Sequence, residues 1–184
     1  WKTGSIIWTY HMFDTCGKLK NITFGDGWDF STITHSYQMF NNCSSLTTID
    51  MSNWNASKIL DAQKMFNGCS ALTELDLSNW NTTAATNLTS LFSGCNNLRR
   101  VLIGSKFNFK GSGSTSCVLP TPSKTYIDGA DGKWYAFRGE IYTPTTVPSL
   151  TAAIYYASEA LAKAARIDIN FNDEDYIIDK GFLS

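Results

Sequence analysis

Residues 65–80 read MFNGCSALTELDLSNW, and residues 39–54 read MFNNCSSLTTIDMSNW, starting 26 residues earlier. Two less similar copies share the same landmarks: a phenylalanine, a cysteine three residues later and a leucine three residues after that. Across the four copies these landmarks are Phe13/Cys16/Leu19, Phe40/Cys43/Leu46, Phe66/Cys69/Leu72 and Phe92/Cys95/Leu98. A fixed period of about 20–50 residues is typical of proteins built from stacked repeats. The repeat therefore decides the fold.

Each copy contains two different apolar periods. After the leucine, Leu75 and Leu77 alternate with polar residues, as a half-buried strand requires. Before it, apolar residues recur every three or four positions, which predicts one face of a helix; they are Ile59, Ala62, Phe66 and Cys69. We expect an α/β fold in which about four helix–strand units stack into a leucine-rich-repeat solenoid, with a parallel sheet on its concave face and helices outside.

The repeat pattern stops after Ile103. We place the solenoid at residues 1–106 and a C-terminal cap at residues 107–184. Turn residues and apolar alternation predict a β-hairpin over 124–142, and apolar spacing predicts a helix over 149–166. These elements would cover the strand edges and core that the end of a solenoid exposes.

The repeated motif M-F-x-x-C-x-x-L-x-x-φ-D-φ-S-N-W, in which φ is apolar, resembles that of the BspA-like leucine-rich-repeat family of bacterial surface proteins. The resemblance covers roughly residues 6–104. It implies an extracellular or cell-surface protein used for adhesion, with a host or microbial protein or glycan as its partner. The resemblance carries no catalytic residues over to this chain.

Composition argues against other partners. The chain has 15 Lys and Arg against 16 Asp and Glu, without a basic cluster, so nucleic acid is not an expected partner. It has no apolar run of about 18 residues that could span a membrane, and no signal peptide is visible.

Trp1 precedes Phe13 by twelve residues, as Trp54 precedes Phe66. The chain thus begins in phase with a repeat and is expected to be part of a longer protein.

The cysteines invite a metal or disulfide interpretation, which their spacing disfavours. Zinc ligands cluster at short spacings, and equivalent positions on packed helices lie about 8–10 Å apart, beyond the roughly 7 Å limit for a disulfide. We therefore predict a ladder of small buried thiols at Cys16, Cys43, Cys69 and Cys95. Cys117 lies outside this register and is either free or paired with Cys95.

No arrangement of side chains predicts catalysis. His11 and His35 fall at different repeat positions, and no third group is placed to orient a Cys16–His11 pair. The Asp168-x-Asn170-x-Asn172 stretch with Asp179 has partial calcium-loop spacing. Because the sixth position lacks glycine and the twelfth lacks glutamate, a solvated acidic tail is preferred. We expect no enzyme activity, no cofactor and no metal.

The residues that alternate with the core on each strand would face the concave side of the solenoid. The hypothesised binding residues are Thr48, Asp50, Ser52, Glu74, Asp76, Ser78 and Arg100, and Asn21, Thr23, Gly25, Leu102 and Gly104 share their face. Concave faces of repeat proteins commonly bind partners. Two alternatives remain open: the acidic column merely discourages sheet-to-sheet aggregation, or the chain is a structural spacer or display stalk for another domain.

Overall fold

The computed structural model describes residues 6–25, 27–51, 54, 56–113, 115–149 and 152–168. Within these ranges the chain forms short strands, one 3₁₀ turn over Phe30–Thr32 and one α-helix, α1, over Glu159–Asp168. The strands are β1 (Asn21–Ile22), β2 (Thr48–Ile49), β3 (Glu74–Leu77), β4 (Arg100–Ile103), β5 (Trp134–Ala136), β6 (Ile141–Tyr142) and β7 (Ala153–Tyr156).

Residues one repeat apart lie side by side. β1 pairs with β2 and β3 pairs with β4, both in parallel, and the Thr73 amide between the two pairs donates to the Thr47 carbonyl oxygen at 3.3 Å. A second column of single parallel bridges joins Trp8, His35, Asp61, Asn87 and Thr115. Successive repeats are therefore linked by backbone hydrogen bonds along two columns.

The predicted repeat helices are absent from the described residues, and turns take their place. Lys64, with φ 53°, and Gly68, with φ 73°, lie in the left-handed region, which an α-helix excludes. Their amides donate to the next repeat rather than within their own turn. The pairs are Lys64 to Thr89 at 2.9 Å, Phe66 to Leu91 at 3.1 Å and Gly68 to Ser93 at 2.7 Å. The expected leucine-rich-repeat solenoid with outer helices is therefore wrong.

The sheet also differs from the expected parallel one. Its five-stranded part is mixed, in the order β3-β4-β7-β5-β6, with β7 antiparallel to β4 and β5, and β6 antiparallel to β5. β7 occupies residues for which a helix was expected, so α1 starts only at Glu159. The physical reason is long-range: β4 offers an open edge, and the largely buried Ile154–Tyr156 segment fits beside it with both faces covered.

The repeat core is built from stacked aromatic rings. Phe13, Phe40, Phe66 and Phe92 form a column with centroid separations of 5.3, 5.8 and 6.5 Å and nearly parallel planes. Trp54 and Trp80 pack beside this column and are buried. Burying one such ring stabilises the fold by about 1.5–3 kcal/mol, so the column is a large part of what holds the repeats together.

Candidate functional site

The structure leaves part of the predicted sheet face open. Thr48, Asp50 and Glu74 are exposed. Glu74 lies opposite Arg100 in the β3–β4 register, and its carboxylate forms an ion pair with the Arg100 guanidinium at 3.3 Å. Burial opposes the charge on Arg100, but Tyr156 and Glu74 outweigh it and raise the pKa of Arg100 above its usual value. Arg100 is therefore a fixed cation at the end of this face.

Two other predicted binding residues are used within the fold. The Asp76 carboxylate accepts a hydrogen bond from the Ser78 amide at 2.9 Å and another from the Ser78 hydroxyl. This pair closes the turn after β3, in the manner of an Asx turn. Asp76 and Ser78 therefore have less hydrogen-bonding capacity for a partner than the sequence pattern suggested.

Beyond Arg100 the expected binding face is covered. Leu102 and Gly104 were expected on the open side, but both are buried. A small second core lies between the sheet and the C-terminal helix; its members are Leu102, Tyr135, Ile154, Tyr156 and Ala162. Burial of Leu102 stabilises the fold because its side chain is apolar. The cover comes from α1 and β7.

A different surface stands out on the first two repeats. We call it the aromatic patch; it consists of Trp8, Tyr10, His11, His35 and Tyr37. The Tyr10 and Tyr37 rings are stacked with centroids 4.9 Å apart, and the His11 ring meets Tyr37 edge-on at 5.4 Å. Trp8 meets His35 edge-on at 6.5 Å. Trp8 is 60% exposed and Tyr10 is 45% exposed.

An open cavity of about 280 Å³ lies in this patch, lined by Trp8, Tyr10, His35 and Tyr37. The repeat backbone positions these side chains, because the Thr9 amide donates to the His35 carbonyl oxygen at 2.9 Å. One repeat presents Trp8 and Tyr10, and the next presents His35 and Tyr37 in the same places. Sequence reasoning missed the patch, although the 27-residue spacing of Trp8 to His35 and Tyr10 to Tyr37 could have indicated it.

The later repeats place polar residues at the same positions. Asp61 and Asn87 continue the column of Trp8 and His35 through parallel bridges. Gln63 and Thr89 follow two residues later, where the first two repeats have tyrosine. Packing of the repeats therefore does not require aromatic rings here, and the patch needs a separate explanation.

Polar contacts position His11 at one edge of the aromatic patch. His11 Nδ1 lies 2.6 Å from Asp14 Oδ2, and the Asn41 side-chain amide donates to Asp14 Oδ1 at 2.9 Å. Burial tends to raise the pKa of Asp14, but these hydrogen bonds and the His11 charge outweigh it and lower that pKa. Asp14 is thus a carboxylate at neutral pH and fixes the His11 ring against Tyr37.

The cysteine column is mostly a buried structural ladder. All five cysteines are free; Cys43, Cys69 and Cys95 are buried as predicted, whereas Cys16 is exposed, so the prediction of a buried thiol is wrong at that position. The Cys43 thiol donates to the Phe13 carbonyl oxygen at 3.0 Å, and burial raises the pKa of Cys43 to about 11. Such thiols are poor nucleophiles at neutral pH, because the thiolate is the reactive form.

Some sequence predictions fall outside the described residues. These are the phase of Trp1, the binding role of Ser52, the calcium-type spacing at Asn170, Asn172 and Asp179, and the acidic tail from residue 169 onward. Within the described ranges, no group of three or more His, Cys, Asp or Glu residues is placed to hold a metal ion. No helix in those ranges is long and apolar enough to cross a membrane.

These features define a stacked-repeat protein made of turns and short strands, with an exposed aromatic surface on its first two repeats. The chain belongs to the family described as "Mycoplasma protein of unknown function, DUF285", whose model matches residues 1–118. That match covers all four repeat copies. Comparison with curated proteins and with solved structures finds no match to this chain.

Proposed function

We propose that this chain is a non-catalytic interaction module that binds a protein or glycan through the surface of its repeats, with the aromatic patch as its anchor. One observation carries the proposal: Trp8 and Tyr10 remain largely exposed beside Tyr37 and His35, at positions that are polar in later repeats. Exposed clusters of large apolar side chains commonly mark interaction sites, and Trp and Tyr dominate the binding energy of many interfaces.

The cellular setting belongs to the same proposal. The resemblance of the repeated motif to the BspA-like family supports an adhesin-like role at an extracellular or cell surface. A host or microbial surface protein or glycan would then be the partner. The open part of the sheet face, with Thr48, Asp50 and Glu74, is a second contact region in this proposal, where polar groups would add specificity rather than most of the affinity.

The test compares patch variants with a matched control. Wild-type protein is applied to glycan and matrix-protein arrays, and hits are measured by biosensor with the Trp8→Ala, Tyr10→Ala and Tyr126→Ala variants. Tyr126 is 46% exposed and lies outside the patch, so it controls for loss of any exposed tyrosine. We expect each patch variant to weaken binding about tenfold or more, which corresponds to loss of about 1.4 kcal/mol, and Tyr126→Ala to bind normally.

Two outcomes would contradict the proposal. If the Trp8→Ala/Tyr10→Ala double variant still binds, the patch is not the anchor and the sheet face is favoured as the binding site. A chain that binds nothing on either array, while its thermal unfolding is normal, would favour the spacer or display stalk instead. Neither patch side chain is buried, so both variants should remain folded.

A further inference from the structure

The turn segments of neighbouring repeats are joined by a regular ladder of backbone hydrogen bonds. In each step, every second amide of one repeat donates to a carbonyl oxygen of the next. Between the second and third repeats the pairs are Gln38 to Gln63, Phe40 to Met65 and Asn42 to Asn67, at 2.8, 2.9 and 2.7 Å. The next step, from Lys64, Phe66 and Gly68, repeats the pattern. The ladder thus has a direction, with its amides facing the C-terminal end of the stack.

At its C-terminal end the ladder has three amides for which the described residues supply no acceptor. Ser90, Phe92 and Gly94 stand one repeat after Lys64, Phe66 and Gly68 and have the same backbone form, with φ 56° at Ser90 and 77° at Gly94. Among the residues that the structure describes, none accepts a hydrogen bond from these three amides. Phe92 is wholly buried. A buried amide without an acceptor is rare in folded proteins and costly.

Ser90, Phe92 and Gly94 line a groove of about 630 Å³, which we call the ladder groove. One wall is the last turn segment, and the other is the segment that follows the repeats. The lining residues include Ser90, Phe92, Gly94, Ser116, Val118 and Thr121. Most of the lining side chains are small or polar, and Val118 is 47% exposed. The groove is therefore open at Ser90 and Gly94, which are partly exposed, whereas Phe92 is buried.

We propose that the ladder groove binds an extended peptide segment of a partner protein through its backbone. Carbonyl groups of the peptide would accept hydrogen bonds from the partly exposed Ser90 and Gly94 amides, just as the Thr89 and Ser93 carbonyl groups accept them from the preceding repeat. Strand-like addition of a peptide to an open edge is a general mode of recognition. This site is separate from the aromatic patch and does not depend on the proposed function.

The surroundings of the groove define the peptide further. The core position beyond Phe92 is already filled by Phe107, whose ring centroid lies 6.4 Å away. A large apolar side chain of the peptide would therefore find no space in the core. The segment that fits has small residues such as Gly, Ala, Ser and Thr facing the repeat. The accessible Ser90 and Gly94 amides are four positions apart along the chain rather than side by side, so they suit a peptide better than a single anion.

The test measures amide hydrogen exchange by NMR with a defined probe. The probe is a capped octapeptide that copies residues 87–94 with alanine at the positions of Leu88, Leu91 and Phe92; its all-D form is the control. In the free protein, the Ser90 and Gly94 amides should exchange faster than those of Lys64 and Gly68. Saturating L-peptide should slow exchange at Ser90 and Gly94 at least tenfold, and the D-peptide should not.

A groove-filling variant adds a second measurement. Ser93 is exposed at the groove wall, so Ser93→Trp should abolish the effect of the L-peptide, and Lys110→Trp, also at an exposed position, should preserve it. The proposal is overturned if the L-peptide leaves exchange at Ser90 and Gly94 unchanged, if both enantiomers slow it equally, or if these amides are already as protected as Lys64 and Gly68. The comparison of enantiomers uses the wild-type chain and so stands even if Ser93→Trp fails to fold.

Discussion

Replacing Gly104 with alanine should destabilise the protein, whereas the same change at Gly25 should not. The two glycines occupy the same position in the fourth and first repeats. A β-carbon on Gly104 would lie 2.0 Å from the Ser78 carbonyl oxygen and 2.8 Å from its carbonyl carbon, whereas one on Gly25 would meet nothing within 4 Å. Neither glycine has a positive φ, so alanine is strained at neither backbone.

The magnitude follows from the required movement. Carbon–oxygen contacts in proteins lie near 3.3–3.6 Å even when close, so the Ser78 and Gly104 backbones must separate by roughly 1 Å or more. That movement would open the β3–β4 pair, and overpacking of this kind costs about 1–3 kcal/mol. Gly→Ala also lowers the conformational entropy of the unfolded chain, which stabilises the fold by about 0.4–1 kcal/mol. We expect a net loss of about 1–2 kcal/mol for Gly104→Ala and a gain of up to about 1 kcal/mol for Gly25→Ala.

Equilibrium urea unfolding, followed by tryptophan fluorescence and far-UV circular dichroism, measures both variants. The urea concentration at the unfolding midpoint should fall for Gly104→Ala and stay or rise for Gly25→Ala. The slope of the unfolding free energy against urea concentration should not change. Equal midpoints for the two variants would falsify the close approach of the fourth repeat to the third. A change in urea dependence for Gly104→Ala alone would instead mean that the variant alters the extent of unfolding.

Two further predictions concern titratable groups. Ellman's reagent at neutral pH should label the Cys16 thiol rapidly and the other four thiols only in urea, because those four are buried. Burial also raises their pKa, for example to about 12 for Cys95. Rapid labelling of two or more thiols would contradict the ladder. Burial and the hydrogen bond to Asp131 raise the pKa of Tyr135 to about 12, so its contribution to stability is complete below about pH 10 and is lost as pH rises towards 12. Absorbance titration at about pH 11 should therefore show fewer ionised tyrosines in the folded chain than in urea, and Asp131→Asn should reduce that difference; equal counts would refute the assignment.

The repeat and the residues that build its core can be read from the amino-acid pattern alone. Phenylalanine, cysteine and leucine recur at one period, and Phe66, Cys69 and Leu72 are all fully buried. That information is local and additive, because an apolar side chain at a repeated position gains by burial against its copy in the next repeat. The ladder of buried thiols at Cys43, Cys69 and Cys95 was predictable for the same reason.

The backbone form of each repeat depends instead on contacts between repeats. Apolar spacing of three and four predicted helices, yet the amides of Lys64 and Gly68 donate to the neighbouring repeat. A one-chain pattern cannot distinguish these choices, because both bury the same side chains and differ only in where the backbone hydrogen bonds go. β7 is a strand rather than a helix for a related reason: its partner, β4, lies some fifty residues earlier in the chain.

The functional surfaces were also decided by distant contacts. The sequence pattern predicted that Glu74, Asp76 and Arg100 share one open face. In the structure Asp76 is hydrogen-bonded to Ser78, and α1 covers the face beyond Arg100. The aromatic patch arises because stacking brings Trp8 and Tyr10 against His35 and Tyr37, 27 residues later. Residue type and period are written in the chain, whereas which side chains meet, and which remain exposed, depends on how the repeats and the C-terminal strands pack.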